Sequence, residues 1–250
     1  MNITKIENDL VKINFAINKA VSEDMPQKIL ENELCTRNYL RYVRGDCINT
    51  NIIKIFNNEE FIPIKYCINS WTGVILINTK EKITYTITTH QNIKSIINKT
   101  KHKKISRPHI FQILNAMENK NFEPEIEQIS LFEDSEFDVE KIEQKYNEVL
   151  GRYIDKPTEY KHYIIAYTFS HDIVTKIDMM CFNINFDLID KKDITYLLYK
   201  NYMPYNLNDM REYDNKIDSI DREDRHIRVG FKNKEKITKL KEFSKELENG

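Results

Sequence analysis

Apolar residues in this chain follow two rhythms, and the points where one gives way to the other restrict what it can build. A spacing of three to four places side chains on one stripe of a helix, whereas strict alternation places them on one face of a strand. Ile6, Leu10, Ile13, Ile17 and Val21 keep the helical spacing across residues 3–21, and residues 22–26 break it. Residues 27–43 resume it through Ile29, Leu30, Leu34, Leu40 and Val43, with Gly45 as the expected C-cap. At Phe61 the rhythm changes. Residues 61–66, 71–78 and 83–89 are rich in β-branched and aromatic side chains and read as three strands, the last two joined by a turn at 79–82. Within the third, Ile83, Tyr85 and Ile87 form one buried face and the threonines the other. Trp71, the only tryptophan, reads as a core anchor.

The second half repeats the alternation. Residues 92–98 and 108–120 read as helices, with Pro108 suited to a first helical turn. Residues 139–153 form an amphipathic helix through Val139, Ile142, Tyr146, Val149 and Leu150. Two β-like runs follow, 162–169 and 173–186, joined by Ser170-His171-Asp172. Asp190 reads as the cap of a helix over 190–202, residues 228–231 as a short strand, and 234–247 as a last helix. The expected class is α+β, with two mixed subdomains, each a β-hairpin or small antiparallel sheet with flanking helices. The boundaries are a basic domain over 1–121, an acidic connecting segment over 122–138, and an acidic domain over 139–250. A single domain spanning both halves is the alternative, since 250 residues are enough for either.

Charge marks the same division. Net charge is −1, yet residues 1–121 hold 18 Lys and Arg against 11 Asp and Glu, and residues 122–250 hold 20 against 28. Either the first half faces an anionic partner such as nucleic acid, or the halves attract one another. Several enzyme classes lack their signatures. With five glycines there is no Gly-rich phosphate loop, and HExxH, GxSxG and paired Cys/His metal spacings are missing. No cofactor is implied. Cys35, Cys47, Cys67 and Cys181 have no CxxC spacing and read as reduced thiols. The first residues form a charged amphipathic pattern and no apolar run approaches the roughly 20 residues of a membrane span, so a cytoplasmic protein without a membrane partner is expected. Heavy use of Lys, Asn and Ile fits the AT-rich coding of a low-GC bacterium or its phage.

The nucleic-acid candidates are Arg37, Arg41 and Arg44, which share a helical face near Tyr39 and Tyr42, and Lys101, Lys103, Lys104 and Arg107 in a loop without carboxylates. Guanidinium groups beside aromatics can meet phosphates and stack on bases; a solvated surface is the competing reading. His102 and His109 lack a carboxylate or cysteine nearby that would complete a metal site. Asp214, Asp218 and Asp221, with Lys216 or His226, offer the clustered oxygens of a metal-dependent nuclease. Arg211, Lys216, Arg222 and Arg225 interleave with them, which equally describes a salt-bridged surface. Asp172 and Asp178 near Lys176 distantly evoke a restriction-endonuclease-like acid and lysine, but their order does not match that pattern.

One peptide is more specific. Gln128-Ile129-Ser130-Leu131-Phe132 lies between acidic flanks. It resembles the bacterial sliding-clamp-binding motif, a glutamine, an aliphatic residue, Ser or Asp, then Leu-Phe. The resemblance implies docking of an extended peptide, with Leu131 and Phe132 filling a pocket and Gln128 at its rim. The competing reading has these apolar side chains packed on the protein's own core. The expected function is therefore a non-enzymatic, nucleic-acid- or replication-associated accessory protein with a protein partner such as the clamp. An inhibitor or counter-defence protein acting by protein–protein binding, and the metal-dependent nuclease, are the alternatives.

Overall fold

The computed structural model describes residues 3–32, 39–56, 58–68, 71–101, 108–122, 139–200 and 228–229. In chain order the elements are α1 (Glu7–Lys19), α2 (Met25–Asn32), α3 (Leu40–Ile55), β1 (Phe61–Ile68), β2 (Trp71–Asn78), β3 (Ile83–Thr89), α4 (His90–Lys101), α5 (Ile110–Glu118), α6 (Val139–Leu150), β4 (Lys161–Ser170), β5 (Ile173–Phe182), β6 (Leu188–Asp193) and β7 (Arg228–Val229). The strands form one mixed sheet in the order β6-β5-β4-β3-β2-β1-β7. β3 pairs β4 in parallel from Ile83 opposite Lys161 to Thr89 opposite Tyr167, and β7 lies parallel to β1. The other pairings are antiparallel. The architecture is α+β, with helices flanking a sheet.

Residues of 1–121 and of 139–250 contribute together to that sheet and to both cores. On one face, Ile6, Leu10, Ile13 and Ile17 of the first helical segment pack with Tyr85, Tyr163, Ile177 and Met179. On the other, Ile113 and Leu114 of α5 and Tyr146 and Leu150 of α6 pack with Ile75, Ile77, Ile164 and Phe182. A sheet covered on both sides buries both sets of alternating residues. This corrects the expectation of one buried face for β3: Thr84, Thr86 and Thr88 are buried as well as Ile83 and Tyr85.

Five local expectations change for identifiable reasons. The helix does not break at residues 22–26, because a wider π turn over Ala20–Asp24 carries α1 into α2 and places Pro26 in the first turn, where its missing N–H is harmless. Gly45 is interior to α3, not a cap; the helix runs on to Ile55 because Ile48 and Ile52 continue its buried stripe. Pro108 precedes the N-cap of α5, which is His109, whose ring nitrogen accepts the Phe111 N–H at 3.2 Å. Asp190 belongs to β6, paired with Cys181 on β5, and the helical turn after it is only Thr195–Tyr199. β5 stops at Phe182 because Asn183 folds back, its Oδ1 accepting the N–H groups of Asn185 and Asp187.

Among the described residues, no helix is long and apolar enough to cross a membrane. Cys47, Cys67 and Cys181 are not in disulfides, and Cys47 and Cys181 are buried.

Candidate functional site

β3 and β4 run side by side in the same direction, so their carboxyl ends open at one edge of the molecule, the usual place for a ligand in a sheet with such a crossover. The first residue after β3 is His90. Thr89 caps α4 there, its hydroxyl accepting the Asn92 N–H at 3.1 Å, while the Asn92 amide donates to Thr88 Oγ1 at 2.8 Å. The backbone that carries His90 is thereby held on both sides.

The His90 ring bridges two strands. Its Nε2 is 2.8 Å from Asp178 Oδ2 on β5, and its Nδ1 is 2.8 Å from Thr168 Oγ1 on β4. A carboxylate can only accept, so the bonding pattern assigns the proton to Nε2; in the neutral ring Nδ1 then accepts the Thr168 hydroxyl proton. Exposure is graded along this chain: Thr168 is exposed, the His90 side chain is 23% accessible, and Asp178 is 1% accessible.

Two ammonium groups approach the same carboxylate oxygen. Lys176 Nζ lies 3.5 Å and Lys191 Nζ 3.2 Å from Asp178 Oδ2, with side chains 46% and 39% accessible. Asp178 Oδ1 is buried with no hydrogen-bond partner. Asp193 lies across from Asp178 on β6, and its carboxyl is held below the usual range chiefly by the hydroxyl and N–H of Thr195, with help from Lys176 and Lys191.

The end of β4 is irregular where these groups meet. The β4–β5 register shifts between Thr168 and Phe169, a bulge of the kind found beside functional sites. Lys176 is directly opposite Thr168 in that register. On the reverse face the Arg44 guanidinium stacks 3.7 Å above the Phe169 ring. The carboxyl end of β4 thus has a guanidinium on one side and an imidazole with two ammonium groups on the other.

A second polar group is closed to solvent and serves the core. Glu118 at the end of α5 accepts from Tyr146 at 2.9 Å and bonds Thr84; Thr84 meets His162 Nδ1 at 2.9 Å, and His162 Nε2 meets Thr86 at 3.2 Å. Burial pushes Glu118 up to about 8 against the pull of the Thr84 and Tyr146 bonds, and pushes His162 down to about 3. With Glu118 protonated and His162 neutral, every hydrogen has an acceptor along the row Tyr146, Glu118, Thr84, His162, Thr86. Asn119 closes this end of the core, accepting the His162 N–H at 2.8 Å and donating to the carbonyls of His162 and Phe182 at 3.1 and 2.9 Å.

Of the residues singled out from sequence, Arg44 is described with its side chain, and Arg41 and Lys101 through their helical backbone alone. Arg37, Lys103, Lys104, Arg107, Gln128, Leu131, Phe132, Asp214, Asp218 and Asp221 lie outside the described residues. Asp172 is exposed in the β4–β5 turn, away from the inward-facing Asp178. His109 is committed to capping α5, and burial holds it down at about 4. Among the described residues no three His, Cys, Asp or Glu gather as a metal site. Sequence reading found Asp178 and Lys176 but missed His90, Thr168 and Lys191. His90 is 88 residues from Asp178 and 78 from Thr168, so no spacing motif marks the group.

The sequence model of a family of unknown function (DUF5986) matches residues 4–247. No curated protein and no solved structure matches the chain.

Proposed function

The chain belongs to the DUF5986 family, and on that premise we propose that it is a nucleic-acid-associated accessory protein that holds phosphate groups at the carboxyl end of β4. The observation that carries this reading is the convergence of Lys176, Lys191 and His90 on one buried carboxylate, with both ammonium groups left part-exposed. Asp178 gathers the cations, and its own burial keeps it from competing strongly for solvent-side ligands. Arg44 adds a flat cation already stacked on an aromatic ring, a surface on which a base or a phosphate can rest. Asp193 offsets part of this charge, so contacts here position a backbone rather than supply high affinity.

A protein partner belongs to the same proposal. Gln128, Leu131 and Phe132 supply the clamp-like docking peptide, which would tether the chain where nucleic acid is being copied.

The test of phosphate binding is retention on immobilised DNA and RNA across a salt series. Each lysine that no longer meets a phosphate lowers the salt dependence by about one unit, so Lys176→Met with Lys191→Met lowers it by about two. Methionine keeps the aliphatic stems, and a melting curve shows whether fold is retained; Arg44→Ala gives a variant remote from Asp178. A wild-type chain that does not bind at low salt refutes the reading. Clamp docking is tested separately by co-elution with a bacterial sliding clamp, expected to vanish in the Leu131→Ala, Phe132→Ala double variant.

A further inference from the structure

We infer that Thr168 is a nucleophile toward phosphoesters, with His90 as its base and Asp178 as the residue that positions the base. The inference rests on the phosphate-binding half of the reading above and goes beyond it by assigning a reaction. An exposed hydroxyl, a part-exposed imidazole and a buried carboxylate stand in one hydrogen-bonded line, 2.8 Å at each step. That order and those distances are what an activated nucleophile needs: a base within reach of the hydroxyl and a third group that orients the base. A hydrogen bond that merely tied α4 to β5 would need only His90 and Asp178. The arrangement also keeps a hydroxyl at the other ring nitrogen, at the bulge where β4 leaves its register.

The step balances without a redox partner. The Thr168 Oγ1–H proton passes to His90 Nδ1 as Oγ1 attacks phosphorus. An Oγ1–P bond forms, the P–O bond to the departing alcohol or phenol breaks, and the imidazolium returns the proton to that oxygen. Asp178, facing Nε2–H, stabilises the imidazolium during the step. Lys176, opposite Thr168 in the register, and Lys191 lie on the side where the non-bridging oxygens gain charge. Water, deprotonated by His90, then attacks the phosphorus of the phosphothreonine; the Oγ1–P bond breaks, the imidazolium returns its proton to Oγ1, and the phosphate product leaves. The substrate class is a phosphodiester or activated phosphomonoester.

The experiment incubates the full chain with bis(p-nitrophenyl) phosphate and follows p-nitrophenolate release together with the mass of the peptide carrying Thr168. Expected are a burst of p-nitrophenolate of about one equivalent and a mass increase confined to Thr168. Thr168→Val abolishes both, His90→Gln slows the burst about 100-fold or more, and Thr168→Ser, which keeps the hydroxyl, retains the adduct and removes misfolding as an explanation. No adduct, an adduct on another residue, or one formed equally fast in His90→Gln overturns the inference. DNA retention of the wild-type chain is read in parallel. Retention without an adduct refutes the nucleophile and spares the binding reading; an adduct without retention does the reverse; loss of both refutes both.

Discussion

The buried row through Glu118 makes the stability of this fold depend on pH in a way that one substitution isolates. Burial raises Glu118 from 4.5 to about 8 and Asp9 from 3.8 to about 6, while it lowers His162 from 6.5 to about 3 and His109 from 6.5 to about 4. An acid with a raised value keeps a proton in the fold that the unfolded chain releases. Its contribution is complete below the unfolded value and is lost as pH rises through the folded one. A histidine with a lowered value works in the opposite sense: the unfolded chain takes up a proton below 6.5, so stability present above that point is lost as pH falls toward the folded value. Between about pH 4.5 and 6.5 the two slopes oppose one another. Above 6.5 the histidines no longer contribute, Asp9 has titrated, and Glu118 remains alone among these four.

The summed contribution of these four groups is therefore greatest near pH 6. From pH 6.5 to 8 the Glu118 contribution falls by about 1.4 kcal/mol per pH unit, or about 2 kcal/mol over the interval. Glu118→Gln removes the titration and keeps the geometry of the protonated acid. The amide N–H can donate to the Thr84 hydroxyl and the amide oxygen accept from Tyr146, the same two partners that the carboxyl group has. The variant is expected to match the wild type within about 1 kcal/mol near pH 6, the range of an ordinary hydrogen-bond exchange. It overtakes the wild type by about 2 kcal/mol near pH 8. Urea unfolding followed by far-ultraviolet circular dichroism at half-unit steps from pH 5.5 to 8.5 measures both curves. Groups common to the two proteins cancel in the difference. Curves that stay parallel across pH 6.5–8 would show that Glu118 is ionised in the fold at neutral pH, and the proton assignment for the whole row would fall with it.

Three further substitutions test the packing. Asn119→Ala strands the His162 N–H and the His162 and Phe182 carbonyls inside the core, and an unmet buried group costs about 1–3 kcal/mol, so the urea midpoint drops clearly even though no apolar contact is deleted. Gly45→Ala raises the melting temperature, because a Cβ there meets nothing within 4 Å and alanine favours a helix interior by about 0.5–1 kcal/mol. Gly73→Ala does the opposite: its Cβ would lie 2.5 Å from the Tyr66 ring directly across the β1–β2 pair, and displacing that ring costs about 1–3 kcal/mol, visible as a lower melting temperature.

What could be read from sequence was what short-range spacing encodes. The alternation of Ile83, Tyr85 and Ile87 and the turn residues 79–82 located β2 and β3 without reference to the remainder of the chain. Spacing failed where partners from elsewhere decide. The threonines of β3 read as a solvent face, since nothing near them announces that α5 and α6 will cover them or that His162 will stand beside Thr84. Asp190 has the chemistry of a helix cap, but pairing with Cys181 makes it a strand residue. Gly45 resembles a stop signal because its left-handed freedom is visible in sequence, whereas the demand that α3 reach Ile52 is not. The site escaped for the same reason. His90, Thr168 and Asp178 meet only through the parallel pairing of β3 with β4, a long-range event set by the path of the crossover.

The same pairing bears on the charge asymmetry. If attraction between a basic and an acidic half joined them, ion pairs across the junction would run from cations in 1–121 to carboxylates in 139–200. His90–Asp178 runs that way, but Lys200 bonds Glu7 in the reverse sense. Exposed pairs contribute about 0–1 kcal/mol each, whereas burying an aliphatic or aromatic side chain contributes about 1.5–3 kcal/mol. Tyr85 stacked on Tyr163, with Ile83 and Ile165 beside them, therefore outweighs the ionic contacts in holding β3 to β4. The halves are joined by their cores.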